Sequence, residues 1–322
     1  MEVKIRTLTP LWTGDVDRKC ETLKETGIIG SLRWWHEALV RGLGGYACDP
    51  TSNEKCKLDH KKFDNSIKKG KSVQEALDEQ ICSVCQLFGC TGWKRRFGIQ
   101  INGLTSTDFR ESGQKAGLKE KRTFHLDILP LSNIDHNQKW LFKKTLLKIE
   151  NYGAIGGRTT RKPGSYQGTS YGLIQIKNYR ELESWNNESN IENVKDWLKS
   201  NKKNLNKNNN FNWFDFRFYW LIKGEHLDKD HMNNLLRLEK RGKRSFPKSG
   251  TEKDEFLNFL RGKQGVSKKI FSFDKSFENI EAFIFGYVRN KEELNKLKGM
   301  LRIELGEYMD FKVGKIIMRD LE

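Results

Sequence analysis

The stretch CSVCQLFGCTGWKRRF, residues 82 to 97, sets a C-x2-C pair beside a further cysteine, a tryptophan and the successive cations Lys94, Arg95 and Arg96. A C-x2-C turn presents two sulfurs to one ion without strain, and a structural zinc takes four tetrahedral thiolate or imidazole ligands. Cys48 and Cys56 supply a second pair, spaced C-x7-C. Cys48, Cys56, Cys82 and Cys85 are therefore the candidate zinc ligands, with His60 and Cys90 competing for the fourth place. Free thiols in an ordered loop are the alternative. A thioredoxin-like redox pair is disfavoured, because such a pair opens the helix of a strand-helix-strand unit and this one runs into QLFGC.

Anion binding is the second chemistry on offer. The chain of 322 residues carries a formal net charge of +17, which attracts polyanions and nucleic acid first among them. Residues 80–107 hold Lys94, Arg95 and Arg96 and no acid; residues 151–180 hold Arg158, Arg161, Lys162, Lys177 and Arg180 and again no acid. Clusters that exclude carboxylates are not charge-balanced solvated faces. The second cluster includes the loop GAIGGRTTRKPGSYQG, residues 153–168, which follows a helix C-terminus whose dipole repels anions. Phosphate affinity there has to come from loop amides, which glycine lets approach closely, and from Arg158, Arg161 and Lys162.

A helix beginning near Gly30 buries a stripe of Leu32, Trp35, Leu39 and Leu43 and turns Arg33, Trp34, Glu37 and Arg41 the other way. Free amides near Gly27 to Ser31 would take a phosphate, with Arg33 adding a bidentate contact. Trp34 either stacks on a base or packs beneath the cysteine-containing segment. Catalytic groups do not assemble as readily. His36 lies beside the buried stripe, His125 and Asp127 share one strand face, and Asp15 and Asp17 have no third metal ligand near them. None of these sets brings a nucleophile, a base and a charge stabiliser together.

These residues need a scaffold. VKIRTLTPL reads as a strand, IIGSLRWWHEALVRGL as a helix, FGIQI and FHLDILPL as strands, Asp135 to Tyr152 as a helix, and YGLIQI as a last strand. That order is the ferredoxin-like plan. The segment from about 44 to 93 is an insertion in it, poor in apolar residues and in need of a local staple. Residues 186–212 are a polar, Asn- and Lys-rich linker. Beyond it, Phe214, Phe216, Phe218 and Trp220 alternate, a helix runs through Leu235, AFIFGYV is a strand, KEELNKLKG a helix and MLRIELGEYMDFKVGKIIM a hairpin. The expectation is an α+β chain of two ferredoxin-like domains, residues 1–185 with the cysteine-containing insertion and residues 213–322. No apolar run is long enough to span a bilayer, and MEVKIRTLTP lacks the plan of a signal peptide. A cytoplasmic protein with no membrane partner is expected.

TPLWTGD, TGIIGSLRWWHEALVRGLGGYACDP, CQLFGCTGWKRRF and GAIGGRTTRKPGSYQG, in that order, resemble the RAMP superfamily of CRISPR proteins, in particular the first subunit of the Cmr, type III-B, effector complex. The resemblance covers roughly the first 180 residues. It implies a non-catalytic RNA-binding subunit at the guide RNA 3′ end that helps capture target RNA beside other Cmr-complex subunits. It matches the family's RNA-contacting helix to Gly30, Ser31, Arg33 and Trp34, and its glycine-rich loop to Gly156, Gly157, Arg158, Arg161, Lys162 and Gly164. It also makes Cys90 a spare thiol. Zinc would then shape the insertion that delivers Trp93, Lys94, Arg95 and Arg96 to an RNA backbone, with Arg41 further along the helix. An endoribonuclease using His36 or His125 as base, and a zinc-stabilised scaffold that touches only protein, are the competing readings.

Overall fold

A computed structural model describes residues 1–17, 19–53, 55–111, 116–160, 170–179, 182, 188–201, 214–241, 244–262, 266–274, 281–307, 310–319 and 321. The first half is built from β1 (Glu2–Thr7), α1 (Glu25–Gly42), α2 (His60–Lys68), α3 (Val73–Asp78), α4 (Ser83–Phe88) and β2 (Phe97–Asn102). After these come a short ribbon β3 (Phe109–Arg110) and β4 (Gly117–Leu118), then β5 (Thr123–Pro130), α5 (His136–Tyr152) and β6 (Ile174–Ile176). Its sheet runs β2-β5-β1-β6 with every neighbour antiparallel, the ferredoxin-like order. Period-2 alternation sets the faces: Phe124, Leu126 and Ile128 of β5 point to the helices, while Thr123, His125 and Asp127 point away. α2, α3 and α4 all belong to the insertion between α1 and β2. Within the polar stretch that follows the first half, α6 (Ile191–Ser200) buries Val194 and Leu198 completely.

The second half repeats the plan with β7 (Tyr219–Lys223), α7 (Lys229–Leu235), the ribbon β8 (Leu238–Arg241) and β9 (Arg244–Pro247), α8 (Glu255–Arg261), β10 (Ile270–Phe273), β11 (Phe283–Tyr287), α9 (Lys291–Leu305), β12 (Phe311–Val313) and α10 (Gly314–Arg319). Its sheet order, β10-β11-β7-β12, is that of the first sheet. The expected hairpin over residues 300–318 is not formed. α9 runs on through Leu305 because Leu297 and Leu301 keep helical spacing and are fully buried, and of that segment Phe311–Val313 alone is strand among the described residues. The alternation in MLRIEL left Ile303 82% exposed on the outer side of the helix.

The two halves share one core. α1 buries Leu32, Trp35 and Leu39 as its stripe requires, with His36 beside them against Phe88 of α4 and bonded to Thr145 of α5, yet Glu37 and Arg41 on its other side are buried as well. The insertion and the second half together cover that side, the second half through Phe214 at Arg41 and Trp34. Trp34 stacks on Phe214 with centroids 4.1 Å apart, and Trp35 meets the same ring edge-on at 5.0 Å. Trp34 thus packs on the second half and not beneath the insertion. Trp35 is seated on Gly153, where a Cβ would lie 2.0 Å from its ring, and its Nε1–H donates to the Ala154 carbonyl at 2.9 Å. Tyr219 Oη donates to the Tyr152 carbonyl, and Lys148 Nζ reaches the Ile317 carbonyl at 2.7 Å.

Two glycine substitutions should separate these roles. Gly153→Ala should lower stability by about 1–3 kcal/mol through overpacking against Trp35. Gly30→Ala places a methyl where nothing lies within 4 Å and should instead stabilise the helix by about 1 kcal/mol. Melting temperatures moving in opposite directions check this; a fall in both would deny that Gly30 faces open space.

Candidate nucleic-acid interface

The insertion folds around four sulfurs. The Sγ atoms of Cys48, Cys56, Cys82 and Cys85 lie within 4.8 Å of one another and all four residues are buried. Tetrahedral thiolates on one zinc stand about 3.8 Å apart, given Zn–S bonds of ~2.3 Å, so the set fits such an ion. The Cys82 N–H donates to Cys56 Sγ at 3.4 Å, and Arg33 Nη2 donates to Cys85 Sγ at 3.1 Å, contacts that suit charged thiolates. Without a cation the sulfurs cannot all carry charge. Hydrogen bonding to Cys56 and its neighbours pulls the Cys48 thiol well below its ordinary range, while hydrogen bonding with Cys48 pushes Cys82 and Cys85 well above theirs. His60 opens α2 at the surface, away from the four; Cys90, half-buried, is not one of the mutually close sulfurs but borders the centre, hydrogen-bonded to Cys85 and with its Sγ 3.6 Å from the Thr91 carbonyl. The C-x2-C pair does open a helix, the short α4, but in a knuckle and not in a strand-helix-strand unit.

Past the cluster, Cys90 and Trp93 exchange backbone hydrogen bonds at 2.9 and 3.0 Å across a tight turn. Gly92 takes φ +84 there, and a Cβ would sit 2.6 Å from the Leu58 carbonyl oxygen, so only glycine fits. Trp93 is fixed by Nε1–H donation to the Gln86 carbonyl at 3.0 Å. The turn leaves Lys94 exposed and Arg95 half-buried, and both line a broad depression with Trp93. Arg96 is different. It is buried, with Nη1 at 3.3 Å from both the Asn133 carbonyl and Gln138 Oε1, so it ties the turn to α5 and presents no charge to a ligand.

A cleft of about 340 Å³ opens where the two halves meet. One wall is α1, through Gly27, Ser31 and Trp34; the second half faces it with Lys268, Phe271 and Tyr287. Trp12 and the glycine-rich loop close the end. A Cβ on Gly157 would meet the Trp12 ring at 2.6 Å, so that glycine admits the indole, while Gly156, at φ +86, lets the loop approach the Trp12 carbonyl oxygen, which a Cβ there would meet at 2.8 Å. Their amides are already used: Gly156 N–H donates to Ser31 Oγ at 3.1 Å and Gly157 N–H to the Trp12 carbonyl at 2.7 Å. Arg158 lays its guanidinium over Trp12, 4.5 Å from the centroid, and is half-exposed. Trp12 Nε1–H has no partner among the described residues. No histidine or carboxylate lines the cleft among the described residues.

Several expected contacts have other occupations. α1 starts at Glu25, not near Gly30, so the Ser31 amide lies inside the helix and offers no phosphate site. The first-turn amides of Gly27 and Ile28 bond the Lys24 carbonyl. Arg33 is committed to Glu37 Oε1 at 2.8 Å, the Gly89 carbonyl at 2.8 Å and Cys85 Sγ. Burial opposes its charge, yet the Cys85 and Glu37 charges outweigh burial and hold its pKa above the ordinary value. Arg41 is 2% exposed and donates to the carbonyls of Ala47, Cys48 and Phe214, which makes it a clamp between the insertion and the second half. Gly30 is exposed on α1. Arg161, Lys162 and Gly164 lie outside the described residues. Nothing in the sequence signals a cleft role for Trp12, Phe271 or Tyr287, and the alternating face expected at Phe214, Phe216, Phe218 and Trp220 is not a strand face: Phe216–Phe218 form a tight turn and β7 starts only at Tyr219, with Tyr219 to Ile222 all buried.

Together these features define a tandem ferredoxin-like protein with a cysteine-stapled insertion and a loop-lined cleft at the seam. Residues 4–167 match the model of the RAMP superfamily, and the chain belongs to that superfamily. No curated protein sequence matches it. Among solved structures it is similar to the apo crystal structure of Cmr1 from Pyrococcus furiosus, with a TM-score of 0.46 at 14% identity over 97% of this chain and 98% of that one. It is also similar to a chain of the type III-B Cmr-beta complex bound to cognate target RNA, with a TM-score of 0.44 at 11% identity over 94% of this chain and 98% of that one. Among the described residues no helix is long and apolar enough to cross a membrane.

His36 supplies a pH test of this packing. Burial, and then the Arg33 charge, lower its pKa from 6.5 to about 3, and its Nδ1 lies 2.9 Å from Thr145 Oγ1. The unfolded chain therefore binds the proton first on acidification. The contribution is fully present above about pH 6.5 and is lost as pH falls toward 3, at up to about 1.4 kcal/mol per unit. Stability curves of the wild type and His36→Gln, which keeps a partner for Thr145, should diverge across that window; parallel curves would mean His36 protonates freely in the fold.

Proposed function

We propose that this chain is a non-catalytic RNA-binding subunit of a type III-B CRISPR ribonucleoprotein of the Cmr kind, placed at the guide RNA 3′ end and assisting capture of complementary target RNA in antiviral defence. The observation that carries it is the cleft: a half-buried Trp34, Trp12 under Arg158 and the glycine-rich loop converge there in a chain of net charge +17. Flat aromatic faces beside cations suit a single strand, whose bases stack and whose phosphates carry charge. Superfamily membership supports the class of partner, and the resemblance of the motifs TPLWTGD, CQLFGCTGWKRRF and GAIGGRTTRKPGSYQG to the first Cmr subunit supports the type. Base pairing between guide and target supplies sequence recognition in such a complex, and the protein supplies charge and stacking. The cytoplasm is where such a complex would work.

Within this reading Trp34 offers a stacking face, Gly30 keeps the outer surface of α1 low enough for a strand to pass, and Arg158 contacts phosphate. Trp93, Lys94 and Arg95 extend the path across the insertion. Gly156 and Gly157 act through shape, since their amides are spent, and Ser31 holds the loop; Arg161, Lys162 and Gly164 keep the phosphate-contacting role of the loop as part of the proposal. The endoribonuclease reading is weakened on two counts: His36 is buried and bonded to Thr145, and His125 stands on the outer face of the first sheet, paired with Glu2 at 2.5 Å. Zinc is the ion proposed for the cysteine centre, held by Cys48, Cys56, Cys82 and Cys85. It would supply charge neutralisation and a cross-link, with Arg33 as a charged neighbour.

Binding of single-stranded RNA should weaken steeply with salt, and Arg158→Glu should reduce the log–log slope by roughly 0.7 for each phosphate that the variant no longer neutralises. Titrations over a salt series measure this, and an unchanged slope would move the RNA path off the loop. Elemental analysis of purified protein should give about one zinc per chain. Chelation should then lower the melting temperature; a metal-free chain that melts as before would remove zinc from the account.

A further inference from the structure

One cation-rich element lies outside the cleft. Residues 237–248, RLEKRGKRSFPK, hold Arg237, Lys240, Arg241, Lys243, Arg244 and Lys248 against the single acid Glu239. They include the ribbon β8–β9, paired from Leu238↔Pro247 to Arg241↔Arg244, which joins neither four-stranded sheet. A two-stranded ribbon is marginal in water unless something anchors it. Here Arg261, 9% exposed, does so: Nε donates to the Leu236 carbonyl at 2.7 Å and Nη2 to the Arg237 carbonyl at 3.0 Å. Its Nη1 and Nη2 also reach Thr251, at 2.9 and 2.8 Å. Lys248 N–H closes the base on the Arg237 carbonyl at 2.9 Å, with Arg237 itself at φ +47. A buried arginine thus holds in place a ribbon that turns Lys240, Arg241 and Phe246 to solvent.

What the ribbon displays matches a nucleic-acid strand. Phe246 is 40% exposed, and the Arg241 guanidinium sits 5.7 Å from its ring. Arg241 pairs with Glu239; Arg237, Lys240 and Lys248 are exposed and have no ion pair among the described residues. Another carboxylate, Glu304, borders the same shallow pocket as Arg237 and Lys248. Spaced cations beside an exposed ring suit alternating phosphates and a base face, whereas an acidic protein surface would leave the ring without a partner.

We infer that the β8–β9 ribbon is a second RNA-contacting element, binding the backbone of a single strand through Lys240, Arg241 and Lys248 and stacking a base on Phe246. The inference rests on the RNA-binding reading of the chain but uses none of the cleft residues. The test uses full-length protein, labelled single-stranded RNA and a salt series, comparing the double variant Lys240→Glu/Lys248→Glu, Phe246→Ala and, in parallel, Arg158→Glu. The melting temperatures of the ribbon variants should stay at the wild-type value, because these side chains are exposed. The double variant should lower the log–log slope by roughly 1.4, at about 0.7 per phosphate, and Phe246→Ala should weaken binding between about fivefold and about 150-fold with little change in slope. An unaltered slope and affinity in the ribbon variants beside a changed Arg158→Glu would overturn the inference and leave the cleft standing. Weaker binding in the ribbon variants with Arg158→Glu unchanged would uphold the inference and remove the cleft. Wild-type protein that shows no salt-dependent RNA binding overturns both, and an equal loss of affinity for poly-glutamate would overturn RNA recognition by the ribbon and make it a general anion patch.

Discussion

Trp35 is the residue around which the two halves of this molecule are arranged. Its indole fits only because Gly153 has no side chain, and its N–H holds the next carbonyl, so the start of the glycine-rich loop is fixed by the core of the first sheet. The same ring meets Phe214, Phe216 and Phe285 of the second half. One fully buried tryptophan therefore sets both the loop that closes the cleft and the sheet that faces it. An interior packed at crystal-like density transmits such a constraint, since a shift of the ring has nowhere to be absorbed.

Charge is handled inside the fold as carefully as apolar surface. Glu37 lies between Arg33 and Arg41, and although burial pushes its pKa up, the two guanidinia oppose that rise. Arg33 then reaches the cysteine centre and Arg41 reaches the carbonyls of Ala47, Cys48 and Phe214. A buried carboxylate with two arginines contributes little net stability compared with apolar replacements, but breaking it is costly. Its effect is positional: the insertion, α1 and the second half are registered against one another through a chain of hydrogen bonds.

The elements themselves were largely legible in the sequence. Alternation marked β1, β2 and β5, helical spacing marked α1 and α5, and both sheets have the ferredoxin-like order; β7 is buried at Tyr219, Trp220, Leu221 and Ile222 alike, and the alternating Phe214, Phe216 and Phe218 precede it. The four cysteines were legible too, because ligand type and spacing carry the chemistry. The cleft was not. Arg33, Arg41 and Arg96 look like surface cations in a linear reading, and only the tertiary arrangement shows them spent on carbonyls, a thiol and a carboxylate. Gly156 and Gly157 invited a reading as phosphate-binding amides, whereas their lack of a Cβ serves the approach of Trp12. The alternation in MLRIEL failed for a related reason: two leucines at helical spacing met a core that outweighed local β preference.

Because α1 is covered on one side by each half, the order of synthesis matters. When the ribosome has delivered the first sheet, Trp34 and the side of α1 that bears it have no cover, and the rings that will supply it, Phe214, Phe271 and Tyr287, are still to be made. The nascent first half thus carries an open aromatic surface for most of the time taken to translate the second. A chain built this way completes its core late, and a product released before Tyr287 would present that surface to its neighbours as a sticky patch.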